Sequence, residues 1–137
     1  MEGLGRVFNI IPTADGVFVD LRDAAAVTFI GVKSGGDTYT VQSSATASGG
    51  ADLATVVHWY ENANADGSTA WTQHADQAAA AAVVTTSTVA AVEISANSLP
   101  DGHQFVKCTS TSTGLVYAIV HDLVSQRKPS NLPALGV

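Results

Sequence analysis

Short stretches in which apolar and polar residues alternate recur along this chain, and turn residues separate them. Val17, Val19 and Leu21 fall on one side of such a stretch, and Pro100 followed by Gly102 marks a tight turn after another. Alternation with a period of two residues is typical of short antiparallel β-strands. The pattern predicts strands over residues 6–11, 17–21, 26–33, 38–43, 53–61, 70–74, 83–86, 89–95, 104–110 and 115–124.

Segments that favour helix are nearly absent, and this decides the predicted fold class. Residues 78–82 form the one helix-favouring patch, which is too short to stand as an independent helix. The sequence therefore predicts an all-β fold, a single β-sandwich or barrel-like domain of Greek-key or jelly-roll type with extended N- and C-terminal arms. We assign the domain with its N-terminal arm to residues 1–125 and the extended C-terminal arm to residues 126–137.

Two hairpins are expected from the order of these strands. Residues 104–110 should pair with residues 115–124 through the turn at 111–114. The strand that holds Trp59 should pair with the one that holds Trp71, because a glycine-containing turn lies between them. This second hairpin would place the two tryptophans near each other.

The charge balance excludes some classes of partner. The chain has 6 Lys and Arg against 12 Asp and Glu, a net charge of -6, whereas phosphate backbones are bound by clustered basic residues. We therefore expect no nucleic-acid partner. No stretch is long and apolar enough for a membrane span, and residues 1–6 lack the basic start and apolar core of a signal peptide. We expect no membrane partner and no translocation by that route.

Charged residues make up only 13% of the chain, so much of the surface must be neutral and small. Such a surface is covered by partners at a low desolvation cost, because few ions lose their water. A robust or secreted β-protein with a low-charge surface explains the same composition equally well.

The residues for catalysis or metal binding do not form a known pattern. The histidines, His58, His74, His103 and His121, match no ligand spacing of zinc or iron sites. Cys108 lies in an alternating stretch, so we expect it to be a buried, unreactive core residue. The sequence predicts no enzyme activity, no metal and no cofactor.

The pair His121-Asp122 comes nearest to an acid-base dyad. Neighbouring residues of a strand point to opposite faces, so we expect the two side chains to lie apart. Other acids, such as Asp15, Asp37 and Asp66, lie beside turns, where bonds to the backbone explain them. A small hydrolase of unrecognised type stays open as a third alternative.

The last residues, 126–137, differ from the body. Pro129 and Pro133 have no N–H and bias their predecessors toward extended geometry. The segment holds 2 of the 6 basic residues, Arg127 and Lys128, and follows a body with four basic and twelve acidic residues. Such a cationic segment suits docking onto a neighbouring subunit. We expect its deletion to leave the body folded and to weaken attachment.

Both terminal segments are interpreted as arms that touch a partner. Basic side chains there would pair with carboxylates, and apolar ones would fill pockets. The residues expected to make these contacts are Leu4, Phe8, Arg127, Lys128, Asn131 and Leu132. A disordered tail is the alternative for the C-terminal group.

Three aromatic residues, Trp59, Tyr60 and Trp71, are the best candidates for stacking on a small molecule such as a sugar. Strand alternation buries one of Trp59 and Tyr60, so a core role is favoured and only a thin platform is left. The alternative function is therefore a carbohydrate- or cell-surface-binding β-module.

Four segments together resemble a known family. They are residues 2–10, the hairpin from Trp59 to Thr72, residues 94–106 and, above all, Gln126-Arg127-Lys128-Pro129-Ser130-Asn131-Leu132-Pro133. With them the chain resembles the head decoration or minor capsid proteins of tailed bacteriophages, which are all-β virion structural proteins. The resemblance implies a non-enzymatic homo-oligomer that binds the major capsid protein and stabilises the shell. It also implies assembly in the host cytoplasm and a place on the capsid exterior of the virion.

Overall fold

The computed structural model describes residues 3–53, 55–56, 58–74, 77–78 and 82–137. The strands are β1 (Phe8–Ile11), β2 (Val19–Asp20), β3 (Ala24–Val32), β4 (Asp37–Ser44), β5 (Ala51–Asp52), β6 (Thr55–Val56), β7 (His58–Asn62), β8 (Thr72–His74), β9 (Gln77–Ala78), β10 (Ala82–Thr85), β11 (Val89–Ser95), β12 (Phe105–Ser110) and β13 (Leu115–Leu123). Two 3₁₀ turns, Ala96–Ser98 and Pro129–Asn131, complete the regular structure of this part of the chain. The predicted all-β class is confirmed, and no helix in the described ranges is long and apolar enough to cross a membrane.

The strands form two antiparallel sheets that pack face to face, which confirms the predicted β-sandwich. One sheet has six strands in the order β1-β13-β3-β11-β7-β8. The other has the order β10-β4-β12-β2, with β5 added beside β4. Strands β6 and β9 pair as a separate short ribbon. The chain changes sheets on both sides of β2, between β3 and β4, between β10 and β11, and on both sides of β12.

The core lies between the two sheets and follows from strand alternation. On β3, Val27 and Phe29 are fully buried, whereas Thr28 and Ile30 lie on the opposite side of the sheet and are half-buried. Cys108 on β12 is 1% exposed, as predicted, and burial raises the pKa of its thiol. Period-two alternation therefore predicts correctly which side chains of these central strands face the core.

Tyr39 of β4 has the largest of the fully buried side chains, and it packs on a glycine of the facing sheet. Its ring lies over Gly31 of β3, where a Cβ atom would overlap the ring. Burial raises the pKa of Tyr39 to about 12, and the charge of Asp37 adds to the shift. The two sheets can therefore approach each other closely at Gly31, because glycine has no side chain.

The turn at residues 111–114 carries the chain from one sheet to the other, so one predicted hairpin is wrong. Strand β12 pairs with β4 and β2, whereas β13 pairs with β1 and β3. Ser110 fixes this crossover, because its hydroxyl donates to Oδ2 of Asp37 at 2.6 Å and accepts from the N–H of Gly114 at 3.0 Å. Alternation alone does not distinguish such a crossover from a hairpin.

The helix-favouring patch at residues 78–82 begins and ends in strand. Ala78 is the last residue of β9 and Ala82 is the first residue of β10, while residues 79–81 lie outside the described ranges. The helix propensity of alanine is a weak preference that tertiary pairing overrides.

Residues 126–137 lie along the body instead of projecting from it. The N–H of Asp20 donates to the carbonyl oxygen of Leu135 at 3.1 Å, and the N–H of Val137 donates to that of Phe18 at 2.8 Å. Leu135 also packs against the core. The segment beyond residue 125 therefore packs against the domain at its far end. The residues after Pro133 pair with the open edge of β2.

Candidate attachment surface

The two terminal segments meet at one edge of the sandwich, in an arrangement that we name the terminal clasp (residues 3–8 and 126–132). The N–H of Arg127 donates to the carbonyl oxygen of Gly5 at 2.6 Å. Gly5 has a φ of +81°, and a Cβ atom there would overlap the carbonyl oxygen of Arg127. Glycine at this position therefore allows the two chain ends to approach each other.

The terminal clasp brings together all of the residues that the sequence predicts to touch a partner. Those exposed are Arg127, Lys128 and Asn131, and those half-buried are Leu4, Phe8 and Leu132. Leu132 turns toward the body, where it lines a cavity of about 20 Å³ together with Leu123 and Leu135. Its apolar contact is therefore made within the chain, whereas Arg127 and Lys128 are exposed.

An open groove on the terminal clasp concentrates positive charge. Its lining residues include Arg6, Gln126, Arg127, Lys128 and Pro129, and none of these is a carboxylate. The groove holds 3 of the 6 Lys and Arg, which leaves 3 basic against 12 acidic residues, a net charge of -9, in the rest of the chain. Sequence reasoning missed Arg6, since no signal in the sequence pairs the two ends of the chain.

The side of the six-stranded sheet that faces away from the core is largely apolar, and we name it the outer sheet face. Its side chains form rows across neighbouring strands. Ile10 on β1 lies opposite Ile119 on β13, and Ile30 on β3 lies opposite Tyr117 on β13. Leu115, at the end of the β13 row, is 57% exposed, and Ile10 is 41% exposed. Sequence reasoning missed this surface, although the unbroken apolar run at residues 115–120 is a signal of a strand that is apolar on both sides.

A hydrogen-bonded trio on the outer sheet face shows that the prediction for His121 and Asp122 is wrong. Oγ1 of Thr28 is 2.9 Å from Nε2 of His121, and Nδ1 of the same ring is 2.8 Å from Oδ2 of Asp122. Asp122 has a φ of +56°, which interrupts the alternation and turns its carboxylate onto the neighbouring ring.

The trio has the connectivity of a nucleophile, a base and an orienting acid. Acyl transfer also needs N–H groups that point at the developing oxyanion. Around Thr28 the backbone of β3 is paired on both sides, with β11 and with β13. Glu93 lies opposite Thr28 in register. Its negative charge would disfavour a developing oxyanion at that position. The N–H groups of β3 beside Thr28 are thus engaged within the sheet, and Glu93 adds a negative charge next to the trio.

The aromatic residues considered for ligand stacking do not form one platform. Trp59 is 3% exposed, and its ring stacks on that of His74 with 3.9 Å between the centroids. The predicted hairpin is confirmed, because β7 pairs with β8, but its register places Trp59 opposite His74 and not opposite Trp71. Trp71 is 51% exposed, and Tyr60 is half-buried on the outer sheet face.

A polar network beside the stacked pair joins the two sheets. Oε2 of Glu61 on β7 accepts a hydrogen bond from the hydroxyl of Thr85 on β10 at 2.5 Å. Oε1 of the same carboxylate is 2.9 Å from Nε2 of His74. These bonds, that from Thr85 above all, hold the pKa of Glu61 below its ordinary value of 4.5.

The Glu61 network predicts a loss of stability in acid. A carboxylate whose pKa is lowered by folding stabilises the protein above its unfolded-state pKa, and this contribution is lost as the pH falls through its folded-state pKa. We expect the melting temperature to fall between about pH 5 and about pH 3, and to fall less steeply in a Glu61→Gln variant. Asp101→Asn, in an exposed turn, is the control. Equal slopes for wild type and Glu61→Gln would contradict this role of the carboxylate.

A search of protein-family models, of curated proteins and of solved structures found no match to this chain. In the part of the chain that the structure describes, no three His, Cys, Asp or Glu side chains are arranged to hold a metal ion.

Proposed function

We propose that this protein is a structural, non-enzymatic protein that attaches to the exterior of an assembled bacteriophage capsid, as head decoration or minor capsid proteins do. Its partner on the shell is the major capsid protein, and the contact is made by the terminal clasp. One observation carries the proposal: half of the basic residues of an acidic chain converge on one groove.

The geometry of the terminal clasp suits a carboxylate-bearing protein surface. Arg6, Arg127 and Lys128 are exposed. The planar guanidinium group of each arginine can form two parallel hydrogen bonds with one carboxylate. The main-chain bond between Arg127 and Gly5 holds the groove together in the free protein. Little conformational order therefore has to be gained on binding.

The charge of the remaining surface orients the molecule. Outside the groove the chain has a net charge of -9, which repels an acidic shell everywhere except at the terminal clasp. The same charge keeps free copies soluble before they attach. Attachment through one end is therefore favoured over side-on adsorption.

The test is a binding measurement with empty capsids of the phage that encodes the chain. We expect the double variant Arg127→Gln, Lys128→Gln to bind about 5 to 150 times more weakly, the range that corresponds to about 1 to 3 kcal/mol for a desolvated charged contact. Cosedimentation at low and moderate salt measures the affinity, and the wild type should be the more salt-sensitive protein.

The matched control removes the same charge elsewhere. Arg22→Gln with Lys33→Gln changes the net charge equally but lies outside the terminal clasp. This control should bind within about twofold of the wild type if position, and not total charge, decides attachment. Equal binding by both double variants and the wild type would remove the groove from the mechanism.

The alternative, a carbohydrate- or cell-surface-binding module, rests on Trp71 alone. Trp59 is withdrawn into the core and stacks on His74, so it cannot offer its ring to a sugar. One exposed ring is a thin platform for stacking, and we therefore place this function second.

A further inference from the structure

Aspartate is followed directly by glycine at three places in the chain: Asp15-Gly16, Asp66-Gly67 and Asp101-Gly102. The main-chain nitrogen of the residue after an aspartate can attack the side-chain carboxyl carbon and close a five-membered succinimide ring. Glycine leaves this nitrogen unhindered, because it has no side chain. The three aspartates are all exposed to water, so sequence and exposure alone do not distinguish them.

Both reacting groups of the first pair are held by β12. Oδ1 of Asp15 accepts a hydrogen bond from the N–H of Ser110 at 2.8 Å. The N–H of Gly16 donates to the carbonyl oxygen of Cys108 at 2.9 Å. Ring closure would break both bonds and detach this turn from the strand, so the fold protects the first pair.

The carboxylate of the second pair is held by a neighbour in its own loop. Oδ1 of Asp66 accepts a hydrogen bond from the N–H of Ser68 at 2.9 Å. Hydrogen bonding to Ser68 also holds the pKa of Asp66 below its ordinary value. Ring closure proceeds from the protonated carboxyl group, so a lowered pKa leaves less of the reactive form at neutral pH. The second pair should therefore react slowly.

The third pair lies in a turn that holds neither reacting group. The N–H of His103 donates to the carbonyl oxygen of Pro100 at 3.0 Å, which places Asp101 and Gly102 at the centre of the turn. Within the described ranges, the carboxylate of Asp101 has no hydrogen-bond donor and the N–H of Gly102 has no main-chain acceptor. The space around Gly102 is open, with no atom beyond its chain neighbours within 4 Å of a Cβ position. The turn can therefore reorient toward ring closure without a steric clash.

We propose that Asp101 is a site of spontaneous covalent modification, at which the folded protein converts aspartate to isoaspartate. The nitrogen of Gly102 forms a bond to Cγ of Asp101, and its proton leaves with the carboxyl hydroxyl group as water. A second water molecule opens the succinimide at its main-chain carbonyl, so the main chain then runs through the former side chain and is one methylene longer. Water is released and then consumed, so the mass of the chain is unchanged. The reaction uses no residue of the terminal clasp and is independent of attachment to a shell.

The test is the rate at which isoaspartate appears at each pair while the full chain is kept folded at neutral pH. Peptide mapping with electron-transfer fragmentation identifies the position of each isoaspartate. We expect it first at Asp101 and about fivefold more slowly at Asp66, the factor that corresponds to one hydrogen bond of about 1 kcal/mol net. Asp15 should be the slowest. Asp101→Glu is the control, because glutamate would need a six-membered ring: the early signal should vanish and the other two should be unchanged.

The same measurement in urea separates the effect of the fold from that of the sequence. Unfolding removes the bonds to Ser68 and Ser110, so the three pairs should then react at similar rates. The proposal is overturned if Asp15 or Asp66 reacts as fast as Asp101 in the folded chain, or if Asp101 stays unmodified for as long as the unfolded chain takes to react. It is also overturned if Asp101 leads by the same factor in urea, because neighbours in sequence would then set the order.

Discussion

Replacing Gly31 by alanine is expected to lower the free energy of unfolding by about 2 to 3 kcal/mol, as insertion into a well-packed core does. Glycine is normally unfavourable in a strand, and alanine would otherwise stabilise it by about 0.5 to 1 kcal/mol. Steric overlap reverses that sign, because the new Cβ atom would meet the buried ring of Tyr39.

Neither side of this contact can move away. Gly31 is held between Val116 on β13 and Ala90 on β11, and Tyr39 is held between Val83 on β10 and a residue of β12. The ring is 1% exposed and has no open space to enter. The strain therefore falls on the packing between the sheets.

Urea unfolding measures the effect, provided that the dependence of the unfolding free energy on urea concentration is unchanged. The control is a double-mutant cycle with Tyr39→Leu, which removes the ring that the alanine would meet. In that background Gly31→Ala should cost clearly less than in the wild type. A loss below about 0.5 kcal/mol in the wild-type background would show that the sheets can separate without penalty.

Strand positions could be predicted from the sequence wherever one side of a strand faces the core. The predicted strand at 89–95 coincides with β11, and those at 104–110 and 115–124 differ from β12 and β13 by one residue at an end. In these segments burial of alternate residues is the dominant local term, and the sequence shows it directly.

The hairpin of β7 with β8 could be predicted from the turn between them, whereas the other pairings depend on contacts distant in sequence. The crossover after β12 is held by Ser110 and Asp37, which are 73 positions apart. The contact of Tyr39 with Gly31 likewise requires the two sheets to be in place already. Alternation contains no information about either contact.

The candidate site was predicted in part. Its residues at the chain ends were identified by proline, charge and isolated leucines, but their meeting depends on one main-chain bond between Gly5 and Arg127. The direction of the Asp122 side chain was missed because its φ of +56° is rare for a residue other than glycine. Side-chain direction after such a residue cannot be derived from a period of two.

Deleting residues 134–137 is expected to lower the free energy of unfolding by about 2 to 3 kcal/mol. The two main-chain bonds, to Asp20 of β2 and to Phe18 just before it, are each worth about 1 kcal/mol net, and the partial burial of Leu135 adds a comparable amount. The deletion also opens the edge of β2, so the truncated protein should aggregate more readily on warming. The structure thus adds a cost in stability to the expectation that deletion of residues 126–137 leaves the body folded and weakens attachment.

This shorter deletion separates stability from attachment. It leaves Arg127 and Lys128 in place, so capsid binding at low temperature should remain close to that of the wild type, whereas thermal unfolding should occur earlier. The double variant Arg127→Gln, Lys128→Gln should show the reverse, with normal unfolding and weak binding. If deletion of residues 134–137 leaves the melting temperature unchanged, the pairing with β2 contributes nothing. If the double variant unfolds early, the terminal clasp is part of the fold and its effect on binding has to be measured by other substitutions.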